Sequence, residues 1–156
     1  MLGILLVSDN DENPNASFAE VQAQIISAER YAVPNEPLIV ATSQDHPATV
    51  VIMLPWVGNP GNLEVLCLPA MYERWPHQRE CLDFLSECLE TDDWPMTRQS
   101  QMRVRSLIAG ICRDDPNTSL THAWSRVIDL IPFHNRCFDQ VAAFLSTVQS
   151  RLSNSN

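Results

Sequence analysis

The sequence predicts an α/β fold with a mostly parallel sheet, followed by a helical C-terminal part. Two observations predict the α/β part: residues 2–7 and residues 49–54 are apolar runs without polar alternation, and a loop and a helical pattern follow each run. The residues after 75 show only the spacing of amphipathic helices, which predicts the C-terminal part. The expected boundaries are an α/β core over residues 1–75, a helical part packed on the same core over residues 76–152, and a disordered tail over residues 153–156.

The composition is that of an ordinary globular domain, but the charge is unevenly distributed. Of 156 residues, 45% are hydrophobic and 19% are charged, and the formal net charge is −9. Residues 1–90 hold 13 acidic and 3 basic residues, whereas residues 91–156 hold 6 acidic and 7 basic ones. We therefore expect any anion-binding surface in the second part. All ten cationic residues are arginines, which excludes a mechanism that needs a lysine base or Schiff-base amine.

The cysteine pattern and the hydropathy favour a cytoplasmic protein. The five cysteines form no Cys-x-x-Cys pair, and most lie at apolar helical positions, so we expect buried free thiols rather than a zinc site. No apolar run approaches the ~20 residues of a membrane span. The start of the chain lacks a cationic leader, and we expect no membrane contact.

The first predicted strand ends in two carboxylates, Asp9 and Asp11. Its continuous apolar pattern is typical of a strand that is buried on both faces. Open α/β sheets bind ligands in the crevice at the carboxyl ends of their strands, and oxygen ligands there suit Mg²⁺. Asp9 and Asp11 are therefore the candidate magnesium ligands. The competing interpretation is a solvated acidic turn that caps a helix.

A calcium-binding EF-hand loop is a weaker alternative for the same segment. Asp9, Asp11, Asn13 and Glu20 stand at the spacing of four ligand positions of such a loop. The sixth position requires the sharp turn that glycine provides, but here it is Pro14, whose ring fixes φ near about −65°. The preceding element is also predicted as a strand and not as a helix, so we expect no EF-hand.

The next elements complete a strand, helix and strand pattern. Asn13 and Pro14 predict a helix start, and this helix should end near Arg30. Residues 38–42 and 49–54 are rich in β-branched residues and predict two strands, of which the second is continuous enough to be central. The residues expected to face the core from the helix are Phe18, Val21, Ile25 and Ile26.

The rest of the chain predicts helices only. Asn62 should cap a short helix that carries Leu63, Leu66 and Cys67 inward and that Pro69 disturbs near its end. Four amphipathic stripes follow. Their expected inward residues are Cys81, Leu82, Phe84, Leu85, Cys88 and Leu89; Val104, Leu107, Ile108, Ile111 and Cys112; Leu120, Ala123, Trp124, Val127 and Ile128; and Phe138, Val141, Ala142, Leu145 and Val148.

Three segments resemble a known family. They are Leu2-Gly3-Ile4 running into Asp9-x-Asp11-Glu12-Asn13-Pro14, then Met53-Leu54-Pro55, then Pro60-Gly61-x-Leu63-Glu64-x-Leu66. This pattern resembles an uncharacterised prokaryotic family whose core is similar to the Toprim domain of topoisomerases, bacterial primases and OLD-family nucleases. The likeness covers most of the chain, although its specific motifs are the acidic pair and the Pro-Gly-x-Leu-Glu segment.

The resemblance implies a Rossmann-like, Toprim-like three-layer core in which Asp9 and Asp11 bind Mg²⁺ and which acts on nucleic acid phosphodiesters. Catalytic Toprim domains also use a glutamate at the end of an earlier strand, and that strand has no counterpart in this sequence. Glu64 is the candidate substitute, and Glu12 is an additional candidate ligand because it adjoins the pair. The loop after Pro55 also departs from the family pattern, since Trp56 and Val57 replace polar residues.

Two functions therefore remain open at this point. The first is a Mg²⁺-dependent protein that acts on or binds nucleic acid. Its candidate phosphate-binding residues are Arg98, Arg103 and Arg105. The alternative for these arginines is a solvated helix face. The second is a catalytically inactive interaction or regulatory module that keeps only the fold. A sheet without its leading strand leaves an open edge, so we expect a homo-oligomer or a partner protein to cover it.

Overall fold

The computed structural model of the chain describes residues 3–126 and 130–153 and shows a mixed α/β protein with a two-stranded parallel sheet. This confirms the predicted α/β class. The elements, in chain order, are β1 (Gly3–Asp9), α1 (Pro14–Ala28), β2 (Ala48–Leu54), α2 (Leu63–Arg74), α3 (Pro76–Cys88), a 3₁₀ turn (Thr91–Asp93), α4 (Met96–Ile111), α5 (Leu120–Arg126), a second 3₁₀ turn (Arg136–Phe138) and α6 (Asp139–Ser153).

The chain forms two compact units. The first contains Met1–Leu63 and Asp139–Asn156, and the second contains Glu64–Phe138. The domain boundary predicted at residue 75 stays a prediction. Except for Ser153, the last residue of α6, the predicted disordered tail lies outside the described residues.

The sheet of the first unit pairs β1 with β2 in parallel, from Gly3 opposite Ala48 to Asp9 opposite Leu54. Every residue of β2 is buried. On one face of the sheet, α1 packs against β2. The residues of this core cluster are Phe18, Ile25, Val51 and Met53, with Leu6, Val21 and Tyr31 packed against it.

The strand predicted over residues 38–42 does not form. Leu38 has φ of 65°, a left-handed conformation that interrupts an extended chain. The segment still follows the free edge of β2: the backbone N–H of Leu38 donates to the carbonyl of Val51 at 2.8 Å, and Ala41 exchanges two hydrogen bonds with Thr49. The prediction of a regular strand is therefore wrong, but β2 does lie between β1 and this segment.

The expectation that β1 is buried on both faces is also wrong. Exposure alternates along the strand, and 41% of Leu5 and 56% of Val7 are accessible to solvent. A continuous apolar run does not reveal whether a second layer covers it. One face of β1 is therefore open to solvent.

The start of α1 is confirmed, and its N-cap is Asn13, whose Oδ1 accepts a hydrogen bond of 3.1 Å from the backbone N–H of Ala16. Phe18 and Ile25 are buried as expected, whereas Ile26 is exposed.

The prediction of a short α2 is wrong, since this helix continues through Pro69 to Arg74. Pro69 removes one intrahelical hydrogen bond, but the burial of Cys67, Ala70 and Met71 on one side of the helix supports it across that position.

In the second unit, the predicted α4 stripe is confirmed at Val104, Leu107 and Ile108. The α3 stripe is wrong in part, because this helix buries Leu82 and Ser86 and exposes 68% of Phe84. The hydroxyl of Ser86 is satisfied by the carbonyl of Leu82 at 2.9 Å, which allows a polar residue to face inward. Cys81, Cys88 and Leu89, which were also expected inside, are exposed.

The last two stripes are confirmed in part. Ala123 is buried, and Trp124 is half-buried and stacks on Phe133 with ring centroids 4.9 Å apart. Val127 and Ile128 lie outside the described residues. In the last stripe, Phe138, Val141 and Val148 are half-buried, while Ala142 and Leu145 are exposed.

The cysteines differ from the expectation of buried thiols. All five are free, but only Cys67 is buried; Cys81 and Cys88 are exposed, and Cys112 and Cys137 are half-buried. The helical spacing predicts that these cysteines lie on apolar stripes, but it does not determine which side of each helix faces inward. Within the part of the chain that the structure describes, no helix combines the length and hydropathy that a membrane span requires.

Candidate functional site

Asp9 lies at the carboxyl end of β1 and is tied to the start of α2. Its Oδ1 accepts a hydrogen bond of 2.9 Å from the backbone N–H of Leu63, the first residue of that helix. The first N–H groups of a helix lack intrahelical acceptors, so a carboxylate is favourable there. A carboxylate offers about four lone-pair positions, so it can accept hydrogen bonds and also coordinate a cation.

Asp11 lies on the same edge of the sheet and is exposed. Its φ of 48° places it in the left-handed region, which aspartate tolerates better than most residues. Its carbonyl accepts a hydrogen bond of 2.6 Å from the backbone N–H of Gly61, whose φ is 128°. Glycine is required at such an angle. This bridge holds the loop after β1 against the loop after β2.

Asn10 joins these two loops and was not identified from the sequence. Only 1% of this residue is exposed, and its Nδ2 donates to the carbonyls of Trp56 and Asn59, each at 2.7 Å. Its backbone N–H donates to Leu54 at 2.8 Å, and its carbonyl accepts from the Ser17 hydroxyl at 2.7 Å. One side chain thus fixes the backbone that carries both candidate ligands.

A signal for Asn10 does exist in the sequence. It stands between two candidate ligands at a predicted strand end, where strand alternation predicts a side chain that points away from its acidic neighbours. A Pro/Gly-rich loop such as residues 55–61 also leaves carbonyls that need a donor. The half-buried ring of Trp56 packs edge-on against Phe144, with centroids 6.5 Å apart, so this tryptophan is part of the packing of the first unit.

The additional acidic candidates occupy different settings. Glu12 is exposed and directly precedes the helix cap Asn13. Glu64 is half-buried in the first turn of α2 and belongs to the second unit. Burial raises the pKa of the Cys67 thiol to about 12, and the charges of Cys137 and Glu64 add to this shift. Glu64 therefore influences a buried thiol of its own unit.

The three candidate arginines have different surroundings. Burial opposes the charge of Arg103, but hydrogen bonds to Asp83 and Tyr72 outweigh that effect and raise the pKa of Arg103. Its Nη1 donates to Asp83 at 2.6 Å and to the Tyr72 hydroxyl at 2.9 Å. Arg98 lies over the ring of Trp94 at 4.2 Å, and Arg105 is exposed. A phosphate site made by all three stays a prediction.

The donor set at the strand ends suits a hard, hydrated cation. Across residues 3–126 and 130–153, no three His, Cys, Asp or Glu side chains come together to hold a metal ion. An ion at Asp9 and Asp11 would take its other ligands from water, backbone oxygens or a bound phosphate. Mg²⁺ is commonly bound in this way, through one or two carboxylates with several retained waters.

Comparison of the chain with protein-family models, with curated proteins and with solved structures finds no match. The function of the site is therefore inferred from its residues and geometry.

Proposed function

We propose that this chain is a Toprim-like module that binds Mg²⁺ through Asp9 and Asp11 and engages nucleic acid phosphodiesters. One observation carries the proposal: Asp9 ends a parallel strand and Asp11 lies two residues beyond it, where the Asn10 side chain and the Asp11–Gly61 bridge hold the adjoining loops together. This is the edge at which open α/β sheets bind ligands. The proposal includes a Rossmann-like three-layer core, of which β1, β2 and α1 would form part.

Each residue has a distinct role in this proposal. Asp9 holds the ion from a carboxylate oriented by the Leu63 N–H, and Asp11 holds it from the exposed side. Asn10 keeps the two positions fixed without touching the ion. The bound cation supplies positive charge that attracts a phosphodiester to a strongly acidic part of the chain. Glu12, which adjoins the pair in the same unit, is the candidate additional ligand.

Paramagnetic Mn²⁺ provides a local test of this site. In amide NMR spectra, low Mn²⁺ should first broaden the signals of Asn10, Asp11, Gly61 and Leu63. The double variant Asp9→Asn with Asp11→Asn should lose this broadening. Asp45→Asn, which removes an exposed carboxylate in another loop of the same unit, should keep it. Uniform broadening, or broadening that survives the double variant, would overturn the site.

Binding to nucleic acid is tested separately. The fluorescence anisotropy of labelled single-stranded and duplex DNA should rise on addition of the protein in Mg²⁺ and should not rise in EDTA. Equal binding in both conditions would show that any contact with DNA does not depend on the ion. No binding in either condition would remove nucleic acid from the proposal and leave the cation site to be judged by the Mn²⁺ experiment.

The exposed side chains of Leu5 and Val7 favour a second candidate function, that of a non-catalytic interaction module. Apolar residues on an edge strand are a common site of strand pairing with another chain. In that case, the fold would serve to present β1, and removal of the Asp9 and Asp11 charges would leave binding to the partner unchanged.

A further inference from the structure

We propose that β1 forms the contact of a homodimer, in which it pairs antiparallel with β1 of a second copy about a twofold axis at Leu6. This proposal deepens the second candidate function and does not depend on the cation site. Among the described residues, β1 pairs only with β2, so its other edge presents backbone groups that are available for pairing.

The two faces of β1 differ in their cover. Leu6 packs against the cluster formed by α1 and β2, so this face belongs to the core of the first unit. The alternate residues Leu5 and Val7 point to the opposite face, where each is more than one third exposed. A pairing strand would extend the sheet and would bring further apolar side chains beside these two residues.

The sequence of β1 is suited to pairing with itself. An antiparallel pair centred on Leu6 places Leu5 of one copy opposite Val7 of the other, and the same contact occurs twice across the axis. Four apolar side chains then form one patch on the open face. Ile4 lies opposite Ser8, and Gly3 lies opposite Asp9, so the carboxylates of the two copies do not face each other.

The charge distribution permits contact between two copies along the β1 edge. Residues 1–90 carry 13 acidic and only 3 basic residues, so most contacts between identical surfaces of this part would bring like charges together. Residues 3–8 of β1 contain no charged side chain, so two copies can meet along this edge without that repulsion. A second copy is therefore an occupant that the β1 edge accepts without repulsion.

The other edge of the sheet explains why pairing would stop at a dimer. The segment containing Leu38 and Ala41 follows β2 and bonds to its backbone at Val51 and Thr49. That edge is covered over this length, which leaves β1 for pairing. A twofold contact through β1 uses the same surface of both copies, and it closes without further addition.

Light scattering after size-exclusion chromatography tests the proposal. The wild-type chain should have the mass of a dimer, and Val7→Glu should have the mass of a monomer because the carboxylates of the two copies would lie close together across the axis and repel each other. Ile26→Glu is the matched control, since Ile26 is exposed to a similar extent on α1, and it should remain a dimer. Circular dichroism of each variant checks that it is folded. A monomeric wild type, or a folded Val7→Glu that remains dimeric, would overturn the proposal.

Disulfide trapping tests the register independently. In a background with the exposed Cys81 and Cys88 replaced by serine, Leu5→Cys and Val7→Cys chains are mixed and oxidised. The mixed Leu5–Val7 crosslink should exceed either homotypic crosslink, because these positions lie opposite each other. Predominance of a homotypic crosslink would overturn the register.

Mg²⁺ titration of Val7→Glu separates the two proposals, since the monomer should keep the cation site whether or not dimerisation is correct.

Discussion

The carboxylate of Asp9 accepts a hydrogen bond of 2.9 Å from the backbone N–H of Leu63, so a candidate metal ligand also holds the first residue of α2. Asp9 thus accepts a hydrogen bond at the start of α2, whereas the helix that directly follows the acidic turn is capped by Asn13, and cation binding stays a proposal. The two roles are compatible within one carboxylate. They can be separated by substitutions that remove the charge and the acceptor independently.

We expect Asp9→Ala to lower the free energy of unfolding by about 1 kcal/mol, the usual loss for a helix-capping acceptor. Asp9→Asn should have a smaller effect, because its amide oxygen can still accept from Leu63. Urea denaturation followed by circular dichroism measures both. Asp45→Ala is the control and should change stability by no more than about 0.5 kcal/mol. Equal losses for Asp9→Ala and Asp9→Asn would show that charge, and not the hydrogen bond, stabilises the turn.

Asn10 should be the most sensitive residue of the site. Asn10→Ala removes both side-chain donors to the carbonyls of Trp56 and Asn59, and we expect it to cost about 2 kcal/mol. Asn10→Asp keeps the shape without the donors and should cost at least as much at neutral pH. The exposed Asn15→Ala is the control. Denaturation curves of Asn10→Ala and Asn15→Ala that coincide would contradict the role of Asn10.

The free cysteines should differ in reactivity. Burial raises the pKa of Cys67 to about 12, so its thiol stays protonated up to and beyond the ordinary value of 9.0. The raised pKa contributes stability that is complete below 9.0 and is lost as the pH rises toward 12. In iodoacetamide labelling of the folded protein below pH 9.0, read by mass spectrometry, Cys81 and Cys88 should react first and Cys67 last. Early labelling of Cys67 in the native protein would contradict its burial.

The Arg103–Asp83 ion pair should have a larger coupling energy than the exposed Arg79–Asp83 pair. A double-mutant cycle with Arg103→Met and Asp83→Asn should give a coupling energy of about 1 kcal/mol, because Arg103 is mostly buried and its donor lies 2.6 Å from the carboxylate. The cycle for Arg79 and Asp83, which are 3.7 Å apart and both exposed to about half, should give about 0.3 kcal/mol. Equal couplings in both cycles would contradict the difference in burial.

The sequence was most informative where local chemistry decides the structure. The Asn13-Pro14 pair correctly placed the start of α1, and the run after Thr49 correctly indicated a fully buried strand. Both signals depend on the backbone nearby, such as the missing N–H of proline and the preference of β-branched residues for strands. These features act over a few residues and can be recognised without knowledge of the tertiary fold.

The errors share a different cause. Each error depends on which surfaces meet in the folded chain. This holds for the exposure of Leu5 and Val7, for the side of α3 that faces inward and for the continuation of α2 past Pro69. At the site, the sequence indicated Asp9 and Asp11 but missed Asn10, since its partners lie 46 and 49 residues away along the chain. Hydrogen bonds at that separation follow from the fold, and the local signals for Asn10 do not identify its partners.

Isothermal titration with Mg²⁺ tests the central proposal most directly. Wild-type protein should give saturable heat of binding, and Asp11→Asn should abolish it without changing the circular dichroism spectrum, because Asp11 is exposed. Asp45→Asn should bind as the wild type does. Absence of binding heat in the wild type, or unchanged heat in Asp11→Asn and Asp9→Asn, would contradict the assignment of this pair as a cation site.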